Sequence, residues 1–280
     1  MKRILVASDL TQGSRNALNR ASSIAAAAGA ELRVVHVNPE REAGDASATA
    51  RVWLRSSLND IAGGRPGGES ALSVRICRGD PAGVILDQAT HFGADLIVLG
   101  AHGEPRLRDA IFGTTASHVV RDATAPVLVA QNEAGRPYSR LLVAVDNEAA
   151  DEVLDLALNF ASPAEFHIVH AFGSVAERLI GAPDLLGDVC TNQDVLIARA
   201  RHRLAGSGGW VALEAIVEKG EEMDVIMRAW ARIKPDLVVM GTHGRKGFAH
   251  FLHGSIAETA LLGCPADLLI MRTGRAPLVA

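Results

Sequence analysis

Ile4-Leu5-Val6-Ala7-Ser8-Asp9 returns in the second half of the chain as Leu141-Leu142-Val143-Ala144-Val145-Asp146. Three further runs return in the same order. Glu31-Leu32-Arg33-Val34-Val35-His36-Val37 is matched by Glu165-Phe166-His167-Ile168-Val169-His170-Ala171, and Ala94-Asp95-Leu96-Ile97-Val98-Leu99-Gly100 by Pro235-Asp236-Leu237-Val238-Val239-Met240-Gly241. Ala101-His102-Gly103 and Thr242-His243-Gly244 follow directly. Segments repeated in order predict one fold used twice.

Each run is short, apolar and rich in branched residues, the pattern of a strand buried on both faces. Helical patterns lie between them. Ser14 to Ala28 carries apolar positions at Ala17, Leu18, Ala21 and Ile24-Ala25 and stops at Gly29. Asp80 to Phe92 opens with a capping Asp80 and a proline at the first helical position, where a missing N–H costs nothing. Glu221 to Ile233 is its counterpart. Alternating strands and helices predict a parallel sheet with helices on both faces. Pro126 to Ala130 and Ala266 to Met271 supply a fifth strand to each half. Gln131 to Ser139, broken by Asn132, Gly135 and Pro137, is the expected linker, which gives domains over 1–133 and 139–275. The stretches 38–70 and 173–209 differ most between the halves and read as Gly-rich surface loops with one helix each.

With 280 residues, 48% apolar and 21% charged, the chain has the composition of a globular protein. A net charge of −4 gives no general electrostatic pull toward nucleic acid or an acidic membrane. No apolar run is long enough to span a bilayer. Met1-Lys2-Arg3 has the charge of a signal-peptide start, but Asp9 interrupts the apolar stretch too early, so a first strand is the better reading. Cys77, Cys190 and Cys264 lack paired or metal-ligand spacing, and a reducing cytoplasm is the expected compartment.

A spaced glycine pattern follows the fourth strand of each half. Gly100, Gly103 and Gly113-Thr114 have the same spacing as Gly241, Gly244 and Gly254-Ser255. Glycines past a strand's carboxyl end let main chain approach a phosphate chain. A Gly-Ser or Gly-Thr opening a helix adds free N–H groups, a hydroxyl and the positive end of the dipole. Asp9 and Asp146 end the first strands and would line the same crevice, where a carboxylate accepts hydrogen bonds from a ribose or an adenine amino group. The pattern is neither a Walker loop nor G-x-G-x-x-G.

The G-x2-G-x9-G-[S/T] pattern, found twice with the first-strand Asp and the histidine-bearing second strand, resembles the universal stress protein family over nearly the whole chain. The resemblance implies two tandem doubly wound α/β domains, each a five-stranded parallel sheet of order 3-2-1-4-5. It further implies pairing of the two domains through their fifth strands as an intramolecular pseudo-dimer, and a bound ATP or other adenine nucleotide, with Mg2+ as its companion ion. By that resemblance Ala7, Ser8, Asp9 and Val37 surround base and ribose in the first half. Leu99, Gly100, His102, Gly103, Gly113, Thr114 and Thr115 form its ribose and phosphate wall. The second set is Ala144, Val145, Asp146, Ala171, Met240, Gly241, His243, Gly244, Gly254 and Ser255.

The two sites are not expected to be equal. The turn after Asp9 keeps the family form, whereas the stretch after Asp146 is one residue shorter and carries two carboxylates. Glu104 would repel phosphates in the first loop, and Arg245 and Lys246 would attract them in the second. The balance favours the first half. His36 and His170 read as hydrogen-bonded core residues; His243, His250 and His253 lack the acidic or cysteine partner that a metal site requires. No nucleophile–base pair stands out. The leading expectation is therefore a cytoplasmic, nucleotide-binding stress regulator with an unidentified protein partner, monomeric with internal pairing or homodimeric. Weak ATP hydrolysis fits that reading, a dedicated catalyst does not, and a nucleotide-free interaction module is the alternative.

Overall fold

A computed structural model describes residues 1–38, 50, 52–54, 56, 72–101, 114–133, 136–145, 150–160, 165–172, 185–204, 212–241 and 266–273. The chain forms two compact units, Met1–Gly135 with Asp267–Arg272, and Arg136–Ala266 with Thr273–Ala280.

In the first unit β1 (Arg3–Ser8), β2 (Glu31–Asn38), β3 (Leu72–Arg78), β4 (Leu96–Gly100) and β5 (Val127–Ala130) alternate with α1 (Gln12–Ala28), α2 (Pro81–Phe92) and α3 (Thr114–Asp122). The five strands are parallel, in the order β3-β2-β1-β4-β5. Order reverses between β1 and β4, as in other open α/β sheets with a switch point. The centre is dry because the strand sequences are apolar on both faces: Ile4, Leu5, Val6, Val34, Val98 and Leu128 are fully buried. Each such side chain contributes about 1.5–3 kcal/mol on leaving water.

Helix ends follow local chemistry. Thr11 caps α1, its hydroxyl accepting from Ser14 N, and Gly29 closes the helix in the left-handed conformation, φ 62°. Asp80 caps α2 by accepting from Gly83 N at 2.8 Å, with Pro81 at the first helical position.

The second unit repeats the plan with β6 (Arg140–Ala144), β7 (Glu165–Phe172), β8 (Leu213–Lys219) and β9 (Leu237–Gly241), and with α4 (Ala150–Leu158), α5 (Leu185–Leu204) and α6 (Glu222–Ile233). Strand β6 lies between β7 and β9, β8 flanks β7, and all pair in parallel. Where α2 ends at Gly93, α6 ends at Lys234, which holds the same left-handed conformation, φ 51°, despite its side chain.

The amino ends of the sheets also match. Asp95 accepts from Lys2 N and Arg3 N, and Asp236 accepts from Ser139 N and Arg140 N. Each carboxylate thus ties the turn before the fourth strand of a half to the start of its first.

Strand β10 (Asp267–Met271) belongs to the first unit, where it runs antiparallel to β5. Its Asp267 is completely buried. One carboxylate oxygen accepts from Gln131 N at 2.9 Å and Asn132 N at 3.1 Å; the other lies 3.0 Å from Nε of Arg20 on α1. Among the described residues no helix is long and apolar enough to cross a membrane.

Candidate functional site

The carboxyl ends of β1, β2 and β4 meet at the switch point of the first unit, so Ala7, Ser8, Asp9, Val37, Leu99 and Gly100 are gathered by the strand order itself. Their exposures divide them. Ser8 and Leu99 are buried, Ala7, Val37 and Gly100 are half-buried, and Asp9 stands in solvent.

Past Ser8 the chain must leave the sheet and start α1 within a few residues. Leu10 takes the left-handed conformation, φ 65°, which a leucine adopts only when its surroundings require it. Ser8 supplies that requirement, since its hydroxyl accepts from Leu10 N at 3.2 Å and lies 3.0 Å from Ser14 Oγ in a buried hydroxyl pair. Asp9 Oδ1 accepts from both Thr11 N at 3.1 Å and Thr11 Oγ1 at 2.6 Å. These contacts hold the Asp9 carboxylate through Oδ1 while the residue stays exposed at the mouth of the crevice. Thr11 thus serves twice, orienting Asp9 and capping α1.

Gly100 is required by packing. A Cβ on it would lie 2.8 Å from the carbonyl carbon and oxygen of Gly13 and 3.0 Å from Ser14 N. The end of β4 touches the main chain that begins α1, and main chain cannot rotate away as a side chain can. This contact joins the end of β4 to the start of α1, the helix that follows β1.

His36 stands behind the turn. It is buried, its Nδ1 donates to Ser8 O at 2.7 Å, and its Nε2 lies 2.7 Å from Asn38 Oδ1. Its chemistry is therefore spent on holding β2 to the end of β1.

The second unit gathers Ala144, Val145, Ala171, Met240 and Gly241 in the equivalent place. Ala144, Val145 and Met240 are buried, and Ala171 and Gly241 are half-buried. His170 Nδ1 donates to Val145 O at 2.9 Å, repeating the His36 contact. The side chains differ. Val145 replaces the hydroxyl of Ser8, and Phe172 replaces Asn38. A Cβ on Gly241 would meet methyl groups instead of main chain, Thr273 Cγ2 at 2.9 Å and Val153 Cγ2 at 3.0 Å.

Thr114 opens α3, and Thr115 is half-buried in its first turn. His102, Gly103, Gly113, Asp146, His243, Gly244, Gly254 and Ser255 lie outside the described residues, as do His250 and His253. Among the described residues, no group of three or more His, Cys, Asp or Glu side chains is arranged to hold a metal ion.

Three first-unit residues carry the geometry without having been singled out by the glycine pattern: Leu10, Thr11 and Ser14. The signal was present in Thr11 three positions before Ser14 at the start of an Ala-rich helix, a capping arrangement.

At the opposite pole, Arg140 Nε donates to Glu165 at 2.7 Å and holds that carboxyl below the usual carboxylate range. His167 lies 3.0 Å from Glu214 on the neighbouring strand. These groups stand at the amino ends of β6, β7 and β8, away from the crevice.

The universal stress protein family model matches residues 1–131 and again 137–272. The chain is 27% identical to universal stress protein E of Escherichia coli K12 over 209 residues, 69% of this chain and 65% of that protein. It is also 27% identical to universal stress protein Rv1996 of Mycobacterium tuberculosis H37Rv over 201 residues, 66% of this chain and 61% of that protein. The alignments thus span a little under two thirds of these relatives' own length. Among solved structures, a universal stress protein from Archaeoglobus fulgidus DSM 4304 matches at a TM-score of 0.67 and 18% identity, covering 97% of this chain and 98% of that one. At that identity the likeness is one of fold.

Proposed function

The chain belongs to the universal stress protein family, as a tandem of two such domains, and from that premise we propose that it binds ATP or another adenine nucleotide in its first unit, as a regulator and not as a dedicated catalyst. One observation carries the reading. Asp9 sits exposed at the switch point with one carboxylate oxygen held by Thr11, beside the half-buried Ala7 and Val37. Such an arrangement suits a base or ribose that donates to the carboxylate while an apolar face rests on Ala7 and Val37. The triphosphate, with Mg2+, would extend toward the Gly103–Gly113–Thr114 side, where the start of α3 offers N–H groups.

In this reading the second unit is the weaker site. Val145 is buried and apolar where the first unit has the hydroxyl of Ser8. Ligand binding changes partner choice only to the extent that it favours one conformation over another. The stress role, the cytoplasmic location and slow hydrolysis beside Thr114 as a side reaction belong to the same proposal.

A nucleotide-free interaction module is the second reading, and Gly100 favours it. Its contact with the Gly13–Ser14 main chain explains the glycine without any ligand.

Calorimetric titration of the nucleotide-stripped full chain with ATP and magnesium separates the two. The first reading expects saturable binding that Asp9→Ala and Gly113→Val each weaken by at least about tenfold, roughly the 1.4 kcal/mol of one good polar contact, while Gly254→Val leaves it unchanged. Loss in Gly254→Val alone would move the site to the second unit. Absence of binding in every form, with no nucleotide retained by the purified protein, would leave the interaction module standing.

A further inference from the structure

Strand β5 presents only Val127, Leu128, Val129 and Ala130 to its neighbour, all buried. Its partner β10 offers Leu268, Leu269 and Ile270, also buried. Apolar strands covered on both faces specify their pairing weakly. A slip of two residues keeps every side chain on its own face and replaces one aliphatic contact with another. Yet the seam has a single register, Leu268 opposite Val129, Leu269 opposite Leu128 and Ile270 opposite Val127.

The one charged residue in β10 is Asp267, and it is completely buried. Its carboxylate needs the Gln131 and Asn132 amides on one side and the Arg20 guanidinium on the other. A two-residue slip would carry it about 6.8 Å along the strand, at roughly 3.4 Å per residue. That is beyond reach of all three groups. Buried ion pairs add little net stability over apolar replacements, and their best-attested use is to fix register and partner.

A second copy of the chain meets the same constraint. If the β5 of another molecule took the place of β10 in this register, its Leu128 would face Leu128, and its Pro126 would stand where Asp267 stands. The carboxylate beside Arg20 would be replaced by a proline ring. Apolar matching alone would accept that strand; the charge would not.

We propose that the Arg20–Asp267 ion pair is the specificity determinant of the β5–β10 seam, admitting the chain's own C-terminal strand in one register and rejecting both slipped pairings and the β5 of a second copy. The ion pair needs no nucleotide for this role. Tethering already favours the chain's own strand through effective concentration; the ion pair adds a choice that tethering cannot make, namely which residues face which.

The test uses the full chain with cysteine pairs oxidised during refolding and the cross-links mapped by mass spectrometry. Leu128→Cys with Leu269→Cys reports the observed register, and Leu128→Cys with Met271→Cys reports the two-residue slip. In the wild-type background the first pair should form at least about tenfold more cross-link than the second, since a slip parts Asp267 from Arg20 and from the Gln131 and Asn132 amides. In an Arg20→Met/Asp267→Leu background the ratio should collapse toward unity. There Leu128→Cys alone should give disulfide-linked dimers that are absent from the wild-type background. A ratio unchanged in the folded neutral variant would overturn the proposal. If the neutral variant does not fold, Arg20→Lys and Arg20→Met, each with Asp267 kept to accept from Gln131 N and Asn132 N, decide: the lysine should keep the wild-type ratio and the methionine should lose it. An Arg20→Met chain that retains the wild-type ratio would again overturn it.

Discussion

The end of β1 and the end of β6 occupy the same place in two copies of one fold, and they are built differently. In the first, Ser8, Leu10, Thr11 and Ser14 form a polar turn in which a buried hydroxyl pair imposes a left-handed leucine. In the second, a buried Val145 stands in the place of Ser8. The contact the two ends share is a histidine on the neighbouring strand donating to the main-chain carbonyl of residue 8 or 145. That bond does not depend on the side chain there. A repeated fold can therefore keep its architecture through main-chain contacts while the side chain at the same position changes, from a serine hydroxyl that holds the following turn to a buried valine.

The strongest way to break this comparison is at the glycines. Gly100→Ala should cost about 3 kcal/mol, the upper range for overpacking, because the new methyl meets main chain. Gly241→Ala should cost about half as much, since Thr273 and Val153 can shift their methyls by a few tenths of an ångström. Urea unfolding followed by amide exchange on each unit measures both. Equal losses would mean that the two strand ends are packed alike.

Next comes a direct exchange of side chains. Ser8→Val should destabilise the first unit by about 2 kcal/mol, because Leu10 N and Ser14 Oγ lose a buried partner. Amide exchange at Leu10 should rise with it. An unchanged exchange rate there would show that the turn does not rest on the hydroxyl.

The helix ends give an effect of opposite sign. Lys234→Gly should stabilise the second unit by about 0.5–1 kcal/mol, because glycine occupies the left-handed region without a Cβ penalty. Gly93→Lys should destabilise the first by somewhat more, since its Cβ would also lie 2.9 Å from the Arg3 guanidinium, which must move aside. Midpoints in a thermal melt of each variant check the pair; a destabilising Lys234→Gly would mean that the lysine side chain outweighs its backbone strain.

The smallest difference should appear in acid. Burial alone would raise the Asp95 carboxyl, but hydrogen bonds from Lys2 N and Arg3 N outweigh it and bring the group below its ordinary value. A carboxylate depressed in the folded state contributes stability that is present above its unfolded pKa, about 3.9, and lost as pH falls through the folded value. Asp95→Asn should therefore flatten the acid limb of the stability curve below about pH 4 and leave its shape between pH 6 and 8 intact. A parallel acid limb in the variant would remove Asp95 from that linkage.

Much of this was legible in the sequence. Strands buried on both faces announce themselves as unbroken apolar runs, and the repeat supplied the register of one half against the other. Asp80-Pro81 and Gly29 marked helix ends through backbone chemistry that needs no tertiary partner. The polar turn after β1 was harder to see, because Ser8, Leu10 and Ser14 act through contacts that form only once α1 packs back on β4. The glycine at position 100 was read as an approach for a ligand, and the structure adds a packing reason that only the folded neighbour Gly13 reveals. Asp267 was the least legible. A single acid in an apolar strand is an anomaly in the sequence, but its partner Arg20 lies on a helix almost the whole chain away.

That distance has a consequence in time. The strand that completes the first unit is made after every described element of the second, since β10 begins at Asp267 while β5 ends at Ala130. At about 5–20 residues per second, synthesis of the intervening stretch takes on the order of ten seconds or more. Throughout that interval the edge of β5 and the guanidinium of Arg20 wait on the nascent chain without their carboxylate. The unit that is first in the message is the last to close, and the ribosome, through the order in which it releases the chain, sets when it closes.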